Sequence, residues 1–475
     1  MVDRATSLTR KFRAGVLIAA CVCCLSPLAQ TQKPPELAAP SQITDVTCAA
    51  DATQSYALYL PSSYTATKRW PIIFFFDPAG RGRRPLELYK EIAETYGFIL
   101  AGSNNSRNFS SDQSKAVNAI WDDTHARLAI DEHRSYASGF SGGARVAGAM
   151  AFSAPSGQIA GVIAHGAGYP SGKAGSKDDL PYFFAVGEED FNWPEVINIR
   201  REREAHGSPY RVRVFPGRHQ WAPAAVMEEA IHYMNLKAMQ AGTLAPNADF
   251  INRMFDKAKS QAAAAETGKD PIAQVSAYRA LVSDFAGLRD AKDAAAKLAA
   301  LQQSPALKAA FRNERDQMDE QFRIEQEIAP KIAALADNSA PDSLTLRIEI
   351  RQQFGVLGDQ SRRSKNEQKR LIAARAFSGI FVQAMEDGQR ELAARHFEKA
   401  ETYFDLMRQA TDDPWPLLLL ADIHAAAGNR KLAIKDLQEA VRRGLKDRAV
   451  IEKDPQLQGL KSDPDFEKLL VTPGK

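Results

Sequence analysis

The chain has 475 residues, of which 44% are hydrophobic and 25% charged, with 61 basic against 58 acidic side chains. That length exceeds what one compact core holds, so two or more domains are expected. The near-zero charge balance removes the electrostatic reason to expect nucleic acid or an anionic membrane as the main partner.

In chain order, the first element reads as an export signal. Arg4, Arg10, Lys11 and Arg13 precede an apolar run from Ala14 to Leu25, and small and polar residues follow to Gln32. This is the pattern of a secretory signal over residues 1–31, and it predicts a periplasmic or extracellular protein. Ile18-Ala19-Ala20-Cys21 resembles a bacterial lipobox, so a lipid anchor through Cys21 is the competing expectation. Three of the four cysteines lie in this segment. After cleavage Cys48 alone remains, which leaves no intramolecular disulfide, no cysteine metal site and no metal or cofactor expectation. Residues 32–42, with Lys33-Pro34-Pro35-Glu36, read as a linker. No later stretch is long and apolar enough to span a bilayer.

From Ile43 to Ala241, short apolar runs alternate with helical periods. Strands are expected at Tyr56–Leu60, Ile72–Phe76, Phe98–Ala101, Tyr136–Phe140, Ile159–Ala164, Tyr182–Val186 and Tyr210–Phe215. Helices are expected at Pro85–Tyr96, Asp112–Leu128, Gly143–Ala151, Trp193–His206 and Pro223–Met239. Such alternation predicts an α/β domain over residues 43–241, with a mostly parallel, doubly wound sheet covered on both faces. After Pro246 the composition turns to Ala, Leu, Lys, Glu, Gln and Arg, with runs such as Ala262 to Ala265, and reads as all-α. Within it, Gly388, Ala393, Phe397 and Ala400 share their spacing with Gly428, Ala433, Leu437 and Ala440. That spacing resembles the tetratricopeptide repeat, at an offset of 40 residues. It divides the helical half into residues 247–372, either degenerate repeats or long packed helices, and a repeat-like domain at 373–475.

The chemistry concentrates before residue 241. Gly139-Phe140-Ser141-Gly142-Gly143 fits G-x-S-x-G between an expected strand and an expected helix. In that context the serine sits on a sharp turn as a nucleophile, and the Gly142 N–H points at a developing oxyanion. A base and an acid must follow. His219, in the loop after Tyr210–Phe215, is the candidate base. His165 reads as a strand-end residue, and His206 and His232 fall in helical patterns. The strand Tyr182–Val186 runs into Gly187-Glu188-Glu189-Asp190, where the G-x-x-D turn selects Asp190 as the acid and leaves Glu188 and Glu189 facing solvent.

The second oxyanion donor belongs in the loop after the third strand, Asp77-Pro78-Ala79-Gly80. Pro78 has no N–H, so the donor is expected to be Ala79. Asp77 stands where esterases commonly carry His. Asn104, Asn105 and Trp221 are candidate pocket residues.

With these four marks in order, residues 43–241 resemble the α/β-hydrolase superfamily, near its dienelactone hydrolase, polyhydroxybutyrate depolymerase and feruloyl-esterase-like branches. The resemblance implies a serine esterase working through an acyl-enzyme: Ser141 attacks, His219 carries the proton and Asp190 holds the imidazole. The nucleophile is Ser, where dienelactone hydrolases use Cys, which favours the esterase branch. The substrate expected is an acyl ester. A serine peptidase acting on short peptides is the alternative within the fold. A protein-binding helical scaffold with a vestigial hydrolase domain is the alternative outside it. No cap domain fits between Ser141 and Asp190, so an open site is expected. A fragment of about residues 42–244 is then expected to suffice for small esters, unless a C-terminal helix closes the site.

Overall fold

The Trp70–Phe76 stretch shows why the first half folds around a sheet. Ile72, Phe74 and Phe76 are buried in one apolar cluster, while Ile73 and Phe75 are buried in another. A strand apolar on both faces has to be covered on both faces. The computed structural model describes residues 41–155, 157–170, 179–446 and 448–471. The proposed export signal, Cys21 and most of the 32–42 linker lie outside them.

Among the described residues the sheet has eight strands: β1 (Thr44–Thr47), β2 (Ser55–Tyr59), β3 (Trp70–Phe76), β4 (Ile99–Ser103), β5 (Ile130–Phe140), β6 (Gly161–His165), β7 (Tyr182–Gly187) and β8 (Tyr210–Phe215). Their order is β1-β2-β4-β3-β5-β6-β7-β8. β1, β2 and β4 pair antiparallel, and every pairing from β4 through β3 to β8 is parallel. Helices α1 (Arg83–Tyr96) and α5 (Ala224–Gln240) cover one face. Helices α2 (Gln113–Arg127), α3 (Gly142–Ser153) and α4 (Trp193–His206) cover the other. This is the mostly parallel, doubly wound sheet covered on both faces that the sequence predicts. All seven expected strands and five expected helices are present, to within a few residues at most ends. β1 is additional, and β5 begins six residues before its apolar part. Cys48 is a free thiol buried in the core.

The second half is helical. α6 (Ala248–Gly268), α7 (Pro271–Ser283) and α8 (Lys292–Gln302) come first, and Phe250, Ile251 and Leu281 pack on Leu236 and Met239 of α5. Then follow α9 (Pro305–Ala336), α10 (Ser343–Arg363), α11 (Glu367–Ala393), α12 (Phe397–Ala410), α13 (Trp415–Ala426), α14 (Arg430–Arg442), α15 (Arg448–Lys453) and α16 (Pro464–Val471). One apolar cluster runs from Ile328 to Leu469, so the expected boundary at 372/373 is not a boundary: it falls inside α11. No helix among the described residues is long and apolar enough to cross a membrane.

The repeat register also needs correcting. Gly388 lies within α11, buried against Phe404, whereas Gly428 forms the turn after α13 with φ of 80°. The residue doing the work of Gly428 one hairpin earlier is Arg395, at φ 62°. Aligning those two turns pairs Ala400 with Ala433, Phe404 with Leu437 and Met407 with Ala440, all wholly buried, and Gly388 with Ala421. The offset is 33 residues, not 40. A left-handed turn held by arginine rather than glycine conceals it.

Candidate active site

The Ser141 position is built by strain. Ser141 joins β5 to α3 with φ 54° and ψ −124°, a conformation costing a non-glycine residue about 1–3 kcal/mol. The turn is tight enough that a Cβ on Gly143 would lie 2.0 Å from the Phe76 carbonyl oxygen, and one on Gly139 would lie 2.1 Å from that of Gly143. The Ser141 N–H donates to the His165 carbonyl at 2.8 Å, which ties the turn to the end of β6. The Ser141 hydroxyl makes no hydrogen bond among the described residues.

The other two expected members meet each other. His219 Nδ1 lies 2.9 Å from Asp190 Oδ1, and that oxygen also accepts the Asn192 N–H at 2.9 Å. The imidazole is held between Phe140, centroids 4.5 Å apart, and Phe191, 4.3 Å apart. Phe140 is the residue before Ser141, so the packing that orients His219 also ties it to the Ser141 turn. Asp190 is wholly buried. The arrangement leaves Nε2 as the imidazole's free nitrogen, which suits a general base.

His165 plays no part of that kind. Its side chain is wholly buried against Tyr89 and Trp221, and burial pulls its pKa down to about 3, so it stays neutral.

The oxyanion side differs from expectation. Gly142 opens α3, so its N–H is a first-turn donor without an intrahelical acceptor, and it lines the cleft described below. The Ala79 N–H is spent: it donates to Asp77 Oδ1 at 2.9 Å. Asp77 is wholly buried and takes Arg81 Nε on the same oxygen at 2.9 Å. Its Oδ2 takes Arg81 Nη2 at 3.2 Å and Trp221 Nε1 at 3.0 Å. A buried carboxylate has to be satisfied in this way. Asp77, in the place of the esterase His, thus pins the β3 loop to the His219 loop, and Ala79 is not an oxyanion donor in this geometry. The Asn108 carboxamide lies against Gly142 instead, with Oδ1 nearest the place a Gly142 Cβ would take.

Ser141 and Gly142 open into a cleft of about 910 Å³. Its wall on the α/β side includes Asn108, Phe109, Arg145, Phe191 and Asn192. Phe109 is exposed and held at φ 61°. The candidate pocket residues lie elsewhere. Asn104 and Asn105 spend their amides on Ser55 and Thr53 at the edge of β2, and Trp221 is packed in the core.

The opposite wall comes from the helical half: Glu325, Gln326, Ala329, Pro330 and Ala333 of α9, with Gly379, Gln383, Glu386 and Asp387 of α11. Burial raises the carboxyl pKa values of Glu325 and Glu386. Gly379 lets α11 come this close, since a Cβ there would lie 3.2 Å from the Phe191 Cβ and 2.8 Å from Glu325 Oε1. Glu188 and Glu189 face α11 rather than open solvent.

The site expected to be open from the Ser141–Asp190 spacing thus has a second wall, from helices more than 180 residues downstream of Ser141. A fragment ending near residue 244 lacks that wall. Its kcat/KM on a short p-nitrophenyl ester is expected to fall more than about a hundredfold below the full chain, the scale of misplaced catalytic groups. A folded fragment within tenfold of the full chain would show the wall to be dispensable.

No family model and no curated protein matches the chain. Among solved structures it is similar to a fluorophosphonate-binding serine hydrolase F of Staphylococcus aureus, with 12% identity over 41% of this chain and 97% of that one, at a TM-score of 0.34. It is also similar to an S-formylglutathione hydrolase of the same organism (12% identity, 41% and 95% covered, TM-score 0.33). A third is esterase 2 of the planctomycete Thermogutta terrifontis (15% identity, 45% and 96% covered, TM-score 0.32).

Proposed function

We propose that the protein is an exported serine hydrolase that cleaves carboxylic esters through an acyl-enzyme. The observation that carries this reading is the strained Ser141 turn opening into the cleft, with the Asp190–His219 pair packed beside it. His219 Nε2 takes the Ser141 hydroxyl proton as Oγ attacks the ester carbonyl. The Gly142 N–H receives the oxyanion. Collapse expels the alcohol, which takes the proton back from His219. Water then repeats the cycle on the acyl-enzyme and releases the acid. Asp190 keeps the proton of the neutral imidazole on Nδ1 and stabilises the imidazolium. Export rests on the basic, apolar and small-residue pattern of the first 31 residues.

One observation favours a second reading, a peptidase of the same fold acting on short peptides. The helical wall carries Glu325, Glu386 and Asp387, which suit the α-ammonium of a peptide. A fluorophosphonate probe, then a panel of neutral acyl esters and aminoacyl p-nitroanilides, tests both. Stoichiometric labelling with turnover of neutral esters is the expected result. Turnover restricted to free-amine anilides would establish the peptidase, and absence of labelling would overturn both.

A further inference from the structure

The triad acid sits on a loop whose backbone hydrogen bonds divide between the two halves of the molecule. Its N–H groups are satisfied within the hydrolase half: Glu188 donates to Phe215 O at 2.9 Å, Glu189 to Gly217 O at 2.9 Å and Asp190 to Gly187 O at 3.1 Å. The carbonyls on either side of Asp190 look the other way. Arg375 Nε of α11 donates to the Glu188 carbonyl at 2.6 Å, and Gln321 Nε2 of α9 donates to the Phe191 carbonyl at 3.0 Å. Arg370 of α11 pairs with the Glu189 carboxylate.

Arg375 is the centre of this arrangement. It is 2% exposed, and its guanidinium lies 3.8 Å from the centroid of the Trp193 ring, just beyond the acid loop. A second nitrogen reaches Gln317 Oε1 at 3.4 Å. A buried guanidinium is costly unless anions and acceptors surround it. Those acting on it electrostatically include Glu188, Asp190 and Glu189 of the loop and Glu314 of α9. Asp190 needs such a neighbour, because its wholly buried Oδ2 has no hydrogen-bond donor among the described residues.

We propose that Arg375, from the helical half, is a positioning residue for the triad acid: it fixes the Glu188–Phe191 loop from the side the hydrolase half leaves open, so that Asp190 meets His219 only when the two halves are docked. The proposal rests on the hydrolase reading above. It gives the helical half a role in turnover beyond lining the cleft.

The test uses the full chain and counts active sites by fluorophosphonate burst titration, so that any unfolded fraction is left out. Arg375→Met keeps the stem against Trp193 and removes the charge and the donor. Its kcat per titrated site is expected to fall by about 30- to 100-fold, with KM within about twofold, as for a catalytic group displaced by roughly 1 Å. Arg375→Lys, which keeps the charge, is expected to recover part of that loss. Gln321→Met breaks the other bond to the loop, together with the Gln321 Nε2 bond to Glu325 Oε1 at 2.9 Å, and is expected to lower kcat about tenfold at unchanged KM.

A purely structural role would lower the melting temperature and the number of titrated sites, while leaving kcat per site at the wild-type value in all three variants. That result would overturn the proposal. If the wild-type chain itself takes no fluorophosphonate, the hydrolase reading fails, and the proposal fails with it.

Discussion

Ser141→Ala is expected to abolish fluorophosphonate labelling and to lower ester turnover by about 10⁶-fold, the scale seen when a triad nucleophile is removed. The variant is expected to stay folded. The Ser141 hydroxyl makes no hydrogen bond among the described residues, and the turn is held by its backbone: Ser141 N–H to the His165 carbonyl and Ala144 N–H to the Ser141 carbonyl. Alanine carries the same Cβ through the same positive φ, so the strain is unchanged and the melting temperature moves by no more than a few degrees. What remains is the cleft with the Gly142 N–H, which is expected to bind an ester still and to assist water weakly. Labelling retained in this variant would place the nucleophile elsewhere. A wild-type chain that never labels would instead favour the scaffold reading, with the hydrolase domain vestigial.

The parts of the molecule legible in its sequence are those whose cause is local. Ile72 to Phe76 declares a strand buried on both faces by its unbroken apolar run. Gly139 and Gly143 declare the turn because no side chain fits there. What escaped depends on partners distant in sequence. Asp77 read as a defect in an oxyanion loop, and only the arrival of Trp221 and Arg81 shows a satisfied carboxylate that spends the Ala79 N–H. Asn104 and Asn105 were as plausible as Asn108 in a polar loop. The edge of β2 decides between them by taking both amides for Ser55 and Thr53. The wall of the cleft left no local mark either, since Gly379 in the middle of a helix reads as a weakness until Phe191 is found against it.

The assignment of the acid rests on the crowded loop Glu188-Glu189-Asp190, and the structure separates the three by what each carboxylate faces. Glu189 pairs with Arg370 of α11 and Arg218 of the His219 loop, and Glu188 lies near Arg370. Asp190 alone reaches the imidazole. Asp190→Asn is therefore expected to lower kcat by about 10⁴-fold, the cost of the same change in a serine-protease triad, or about 5 kcal/mol of transition-state stabilisation.

The physical reason is specific to this loop. Oδ1 accepts from both His219 and the Asn192 N–H, so an amide oxygen is expected to stay at that point and keep the imidazole in place. The negative charge that stabilises the imidazolium is lost, and an NH₂ group replaces an oxygen buried without a donor. Position survives while electrostatics fails, so KM should change little. Glu189→Gln weakens two ion pairs at the rim of the loop and leaves the imidazole's partner intact, so its kcat should stay within about tenfold of wild type, as for partly exposed pairs. Measuring kcat and KM for both variants on one p-nitrophenyl ester decides the matter. If Glu189→Gln proves the more damaging change, the acid has been misassigned, and the loop must rearrange on substrate binding to bring a different carboxylate to His219.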